Sequence, residues 1–209
     1  IGFDPKLHSK KQLNFLFGIK SIILKPINEN LIDIIWTKRP KDLIKPFFSL
    51  SKKDAGQSSQ EKIIKVKNIL LKNKVDYLLV TAPENVAWIL NIRGHDSTFS
   101  PIPNARLLIN SKGDIDLFSQ LEKVTKIKKN LPKKIKFHDE NKIENKLRNL
   151  WKNNIWLDSL SCSIHYKNLL RKRNRIIEKI DPIYFFKSIK NPTEIENMKK
   201  SHVADGVAL

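Results

Sequence analysis

Apolar and polar positions recur with two periods along this chain, and each change of period marks a new element. From Ser58 the pattern is helical: Ser58-Ser59-Gln60-Glu61 supplies cap residues ahead of Ile63, Ile64, Val66, Ile69 and Leu70, and Asn73 closes the run. Val75 to Thr81 is apolar enough to be a strand buried on both faces. Pro83-Glu84 opens a helix at its first turn, Val86, Trp88, Ile89 and Leu90 fill its faces, and Gly94 is expected to end it. Ala105 to Asn110 and Asp114 to Phe118 read as a hairpin about the turn Ser111-Lys112-Gly113. Beyond it the pattern predicts a short helix over Leu121 to Lys129 and a strand over Lys134 to His138. A helix over Asn141 to Trp151 follows, with Ile143, Leu147, Leu150 and Trp151 inward. Asn154 to Asp158 is a strand, Ser163 to Leu170 a helix and Arg175 to Ile180 an edge strand, after which Asp181-Pro182-Ile183 turns the chain out. Residues 57–185 thus predict one α/β unit, a mixed β-sheet flanked by helices.

The flanks read differently. Residues 1–56 hold a short strand at Ile1 to Pro5 and a helix from Ser9 with Leu13, Leu16 and Phe17 on one side. A strand at Ser21 to Leu24 and the apolar run Asn30 to Trp36 come next, too little for a core. Arg39-Pro40 and Lys45-Pro46 break the chain, and Ser51 to Gly56 reads as a linker. This part is expected to be the tail of a preceding domain. Residues 186–209 contain a strong helix start, Asn191-Pro192-Thr193-Glu194-Ile195-Glu196, and are expected to open a further domain. The chain begins at Ile1, and its last helix carries no stop signal, so both ends are expected to be cuts from a longer protein.

Composition changes this picture little. The net charge of +19 invites a nucleic-acid reading, but 33 of the 40 basic residues are Lys, spread along the chain, and only seven are Arg. Phosphate forks and base edges favour Arg, so the bias reads as solvated lysine surface, with no nucleic acid as partner. Arg171 to Arg175 is the one cluster, and cations at a helix C-terminus account for it. The single cysteine, Cys162, excludes internal disulfides and fits a reducing compartment. As a lone buried thiol it is a nucleophile in name only. No apolar run reaches membrane-spanning length, and Ile1 is not followed by a signal-peptide pattern.

Candidate chemistry is sparse. The five histidines stand at ligand spacing to no other His, Cys or acid, apart from the neighbours His95-Asp96 and His138-Asp139, so no metal site is expected. Asp114 and Asp116 share one strand face and read as solvated positions of the hairpin. The densest polar group is Arg93, His95 and Asp96, which precede the stiffening prolines Pro101 and Pro103. Arg93 is able to hold a carboxylate bidentately and His95 to donate to a substrate oxygen. Alternatively, Arg93 and Asp96 pair and only brace the turn.

Trp88-Ile89-Leu90-Asn91-Ile92-Arg93-Gly94-His95-Asp96, with Pro101 following, resembles a segment of the creatinase-like middle domain of three-domain Xaa-Pro aminopeptidases (aminopeptidase P, peptidase family M24B). Ile1-Gly2-Phe3-Asp4-Pro5, Asn30 to Trp36 with Arg39-Pro40, and Ala55-Gly56-Gln57-Ser58 with Glu61-Lys62 resemble the segments leading into that domain. Lys190 to Ile195, with Asp205-Gly206-Val207-Ala208-Leu209, resembles the first helix of the pita-bread catalytic domain. Asp54 departs from the family, which commonly has an aromatic before Ala-Gly. The resemblance implies a creatinase N-terminal-domain-like fold over 57–185, preceded by the end of a first such domain (1–56) and followed by a truncated pita-bread domain (186–209). It further implies a cytoplasmic, homodimeric metallopeptidase that removes the residue before a proline at the second position of a peptide. Two divalent metal ions, manganese in the usual form, would be held by Asp, Asp, His, Glu and Glu of the pita-bread domain. None of those positions exists here, so this stretch is expected to lack catalytic residues, metal ligands and peptidase activity by itself. It would shield the cleft, with Arg93, His95 and Asp96 as substrate-cleft candidates. A creatinase-like binding or scaffold module is the alternative.

Overall fold

The computed structural model describes residues 1–18, 21–40 and 44–208. Its first part carries β1 (Gly2–Phe3), α1 (Lys10–Phe17), β2 (Lys25–Pro26) and α2 (Leu31–Ile35). The second pairing partner lies just after the expected Ser21 to Leu24: β1 and β2 pair in parallel through Lys25 and Pro26. Ser9 and Asn30 cap the two helices with their side-chain oxygens, but only Leu13 of all their apolar residues is buried. These helices form no core of their own.

The chain then passes through β3 (Phe48–Ser49), α3 (Lys52–Ala55), α4 (Ser59–Lys72), β4 (Tyr77–Val80), α5 (Pro83–Leu90) and β5 (Ile92–Arg93). It continues through β6 (Arg106–Asn110), β7 (Ile115–Phe118), β8 (Ile135–His138), α6 (Ile143–Arg148), β9 (Asn154–Leu157) and α7 (Ile164–Arg171). β10 (Arg175–Glu178), α8 (Pro182–Ser188) and α9 (Pro192–Ala208) complete it. Six strands make one sheet in the order β10-β9-β4-β6-β7-β8. β9 is parallel to both β10 and β4, β6 runs antiparallel to β4 and β7, and β8 is parallel to β7. This is the mixed sheet that the periodicity predicts.

Alternation along the strands makes two cores. Leu78, Val80, Leu107, Ile109, Ile115, Leu117 and Trp156 face Ile63, Val66 and Leu70 of α4, Val86 and Ile89 of α5, and Ile183 of α8. Leu79, Leu108, Phe118, Ile155 and Leu157 face Ile143 and Leu147 of α6 and Leu170 of α7. Adjacent residues of one strand serve opposite layers, which is why the strands read as continuous apolar runs. α4 starts with a reciprocal capping box: Glu61 N–H donates to Ser58 Oγ, while Ser58 N–H donates to the Glu61 carboxylate. The hairpin turns at Gly113, whose φ of +86° suits glycine.

Several expectations are corrected. Ser51 to Gly56, expected as a linker, holds α3, capped by Ser51 and ended by Gly56 at φ +73°; just before it Phe47 is wholly buried in the first core and β3 pairs antiparallel with β5. α5 ends at Asn91, not Gly94, because Asn tolerates the left-handed conformation found there (φ 52°, ψ 40°). Residues 121–127 form turns, with i→i+3 bonds such as Ile127 N–H to Val124 O, rather than a helix. The helix expected to reach Trp151 stops at Arg148, and Trp151 is exposed. Asp181-Pro182-Ile183 does not turn the chain out; Asp181 caps α8, whose Pro182 and Ile183 are buried. Leu209, the end of the last quoted segment, lies outside the described residues. No helix among the described residues is long and apolar enough to cross a membrane.

Candidate functional site

A cleft of about 520 Å³ opens where the C-terminal end of α5 meets α9. Its wall is built on Asn91. The Asn91 carbonyl accepts from Leu50 N–H at 2.7 Å, its Oδ1 accepts from Lys62 Nζ at 2.7 Å, and its Nδ2 donates to Gln57 O at 2.7 Å. One left-handed residue therefore ties α4, α5 and the β3 segment together. Lys62 occupies the core face of α4, in step with Val66 and Leu70, and is 1% exposed. Its ammonium also donates to Trp88 O at 3.0 Å and sits 4.1 Å from the Trp88 ring centre. Burial pulls its pKa down to about 8, against the opposing pull of Glu194.

Asp54 and Glu194 are the acids on the cleft's lining, and Glu194 is the one tied to its wall. Its Oε1 accepts from Trp88 Nε1 at 3.1 Å, and its Oε2 accepts from Asn191 N–H at 2.9 Å. Asn191 returns the cap by accepting from Glu194 N–H and donates to Ala55 O. Asn197 Nδ2 donates to Asp54 O, so α9 hangs from α3 by two side-chain amides. A Cβ at Gly56 would collide with the Asn191 amide, lying 2.6 Å from its Cγ.

Arg93 lines this cleft, half-buried. Its Nη1 donates to Ala87 O at 3.2 Å and to Ile92 O at 2.9 Å; among the described residues its other nitrogens have no partner. Burial lowers its pKa and Glu194 opposes the shift, but an arginine stays charged. His95 and Asp96 are not brought to the cleft. His95 is exposed, its ring 5.5 Å from that of Phe48. Asp96 turns inward, 2.7 Å from Lys123 Nζ, and accepts from Asn104 N–H at 2.6 Å. Arg93 therefore does not pair with Asp96; the brace of this loop is Asp96 with Lys123. Gly94 is needed beside it because a Cβ there would meet the backbone of Pro103 at 2.8 Å.

The remaining candidates fall into structural roles. Cys162 is buried, and burial pushes its thiol up to about 12. Asp116 is held by His138 at 2.6 Å and Lys146 at 2.9 Å, and Asp114 lies 3.9 Å from Lys134, so the two carboxylates are separately paired. Arg171, Arg173 and Arg175 are exposed about the end of α7. Sequence reasoning missed Lys62, Asn91 and Glu194. A lysine on the apolar stripe of α4 was the available signal for the first.

A buried polar network adjoins the cleft through Lys187, which lines it. Asp181 accepts from Asn85 Nδ2 at 2.9 Å and from Ile183 N–H at 2.9 Å, while Lys187 Nζ donates to Asn85 Oδ1. Burial raises the Asp181 pKa from 3.8 to about 6, with Ile183 and Asn85 opposing. Between those values the folded protein holds a proton that the unfolded chain has released, so Asp181 removes stability as pH rises through that window. The shift corresponds to up to about 3 kcal/mol. Asp181→Asn, which keeps the acceptor for Ile183, should gain on the wild type by about that order between pH 4 and pH 7 in urea midpoints. A constant difference across that range would refute the shift.

No three His, Cys, Asp or Glu side chains gather as a metal site among the described residues, so they do not fit a di-nuclear centre. The comparisons give the frame for this. The chain is 33% identical to Xaa-Pro aminopeptidase 1 of Dictyostelium discoideum and 32% identical to a probable Xaa-Pro aminopeptidase P of Sordaria macrospora. Both alignments cover all of this chain but 35% and 37% of those proteins. The chain thus spans about a third of the length of the curated relatives it matches. The fold is that of part of an X-prolyl aminopeptidase from Caenorhabditis elegans, described as a cytosolic enzyme with a di-nuclear active site. The TM-score is 0.81 at 23% identity, over 97% of this chain and 34% of that one. Residues 38–194 match the family model described as the Creatinase/Prolidase N-terminal domain. That span takes in every strand of the main sheet, α3 to α8, and the cleft residues from Lys62 to Glu194, and the chain belongs to the creatinase/prolidase N-terminal domain family.

Proposed function

We propose that this chain is the non-catalytic middle portion of a metal-dependent Xaa-Pro aminopeptidase and that it shapes and shields that enzyme's active-site cleft. The observation that carries the reading is the alignment of the whole chain with about a third of proteins named as Xaa-Pro aminopeptidases. The placement of α9 agrees with it. This helix buries none of its residues and leaves Ile195, Met198, Val203 and Val207 exposed for further packing, while Glu194 seats its start beside Arg93. In this reading residues 1–56 close a first creatinase-like domain, with 47–56 packed on the second (57–185), and 186–209 open the pita-bread domain. Catalysis, two divalent metal ions with manganese as the expected pair, a homodimer and a cytoplasmic setting belong to the same proposal. Substrates would be peptides with proline second.

Arg93 is the residue through which the fragment would touch substrate, because two of its nitrogens remain free to fork onto a peptide carboxylate or carbonyl. Arg93→Lys in the full-length enzyme keeps a charge but loses the fork. It should lower kcat/KM on a proline-second peptide about ten-fold, or about 1.4 kcal/mol, with little change in melting temperature. A sharp fall in melting temperature with kcat/KM per folded molecule unchanged would make Arg93 a brace. If the full-length protein releases no residue ahead of proline under any divalent metal, the enzyme reading fails and a binding module remains.

A further inference from the structure

The sheet has a second concavity, away from Arg93. β4 and β9 are adjacent and parallel. The chain leaves β4 for α5, which packs on the first core, and leaves β9 for α7, which packs on the second. The two connections part in opposite directions on opposite faces, toward β6 and toward β10. This is a topological switch point, and in open α/β sheets ligands settle in the crevice outside the carboxyl ends of such strands.

A crevice of about 420 Å³ lies there, roofed by Lys6, Leu7 and Gln12 and floored by the ends of the strands. Across its floor Thr81 Oγ1 lies 2.9 Å from Ser161 Oγ. The first amides of α7 are already satisfied: Ile164 N–H donates to His8 O, His165 N–H to Pro5 O and Tyr166 N–H to Ser163 Oγ. Glu144 is balanced by the cations Lys6 and Arg148, each at 3.6 Å, and lies 2.9 Å from His165 Nε2. Several groups are left over among the described residues, His165 Nε2 among them, buried and without an aligned hydrogen bond. Arg106 pairs with no carboxylate and meets only the Tyr166 ring, 5.8 Å from its centre. The Tyr166 hydroxyl has no hydrogen-bond partner among the described residues, and burial raises its pKa. Glu140, on the same lining, pairs with no cation. An unpaired guanidinium and an unpaired carboxylate thus share one half-enclosed space without meeting each other. Partly buried opposite charges ordinarily pair or are bridged.

We propose that this switch-point crevice binds a small zwitterion, a free amino acid or short peptide, with its carboxylate on Arg106 and Tyr166 and its ammonium on Glu140. A plain anion would leave Glu140 unmatched, and a plain cation would leave Arg106 unmatched. The net charge of +19 adds a nonspecific attraction for anions, which a zwitterion does not exploit.

The test is calorimetric titration of the full-length protein with L-alanine, N-acetylalanine and alaninamide. Alanine should bind saturably, and each blocked form should bind about ten-fold more weakly or worse. Arg106→Gln should bind alanine no better than alaninamide, and Glu140→Gln no better than N-acetylalanine. Heat from any peptide site elsewhere in the protein is common to all variants and cancels in these differences. Arg171→Gln, an exposed loss of the same charge, should match the wild type. Tyr166→Phe keeps the ring packing and should weaken alanine several-fold, which keeps the proposal testable if a charge variant fails to fold. Equal binding of alanine and N-acetylalanine, unchanged affinity in Tyr166→Phe, or an equal loss in Arg171→Gln would overturn it.

Discussion

Asp96→Ala should lower stability by about 3–5 kcal/mol, the cost of breaking a buried ion pair from one side. The side chains of Asp96 and Lys123 are 10% and 6% exposed, and their contact is 2.7 Å. Removing the carboxylate strands an ammonium in the interior and also leaves Asn104 N–H without its acceptor. Lys123 is held in place from its backbone as well, since its carbonyl accepts from Phe47 N–H at 2.7 Å. The pair therefore links the loop after β5 to the segment before β3. Replacing both partners, as in Asp96→Ala with Lys123→Met, should recover much of the loss, because the stranded charge is gone. Urea unfolding of the three variants decides this. A single-variant loss under about 1 kcal/mol would mean that the pair is solvated and weak.

Phe47→Ala should cost about 3–5 kcal/mol, in the range for emptying a buried aromatic site. Phe47 is 0% exposed and belongs to the first core, and one of its ring carbons lies within 3.0 Å of where a Cβ on Gly94 would be. The cavity cannot collapse easily, because strand pairing fixes β3 on one side and the closed 94–103 loop fixes the other. The expected result is a lower urea midpoint with an unchanged slope. A loss below 1 kcal/mol would show that residues 47–50 dock on the sheet without completing it.

What the sequence disclosed follows from the range of the forces involved. The six strands and α4, α5 and α7 were legible because their apolar spacing is local and strong. Phe47 was not, since its burial depends on β5, far along the chain, and Pro46 before it looks like a break. Asn91 ends α5 three residues ahead of the obvious glycine, because Lys62 and the Gln57 carbonyl hold its side chain in place. Of the three candidate cleft residues, Arg93 faces a cleft, while Asp96 is consumed by Lys123, a partner 27 positions away that no spacing rule connects to it. Lys62 and Glu194 meet Trp88 from 26 and 106 positions away along the chain, so the cleft's charges become visible only once it is folded.

The strand order also sets a sequence of events in time. The β6–β7 hairpin pairs Ile109 with Ile115 across one tight turn, a closure that needs only microseconds. At the middle of the sheet, Tyr77 pairs with Ile155, so the chain must close a loop of 155 − 77 = 78 residues before the first contact forms. Loop entropy of that size slows folding more than it weakens the final state. β4, in the middle of the sheet and buried at Leu78, Leu79 and Val80, therefore waits longest for one of its two neighbours. Until β9 arrives, its β9-facing edge is an unpaired apolar edge, and this edge, rather than either rim of the finished sheet, is where a refolding chain is most exposed to another copy of itself.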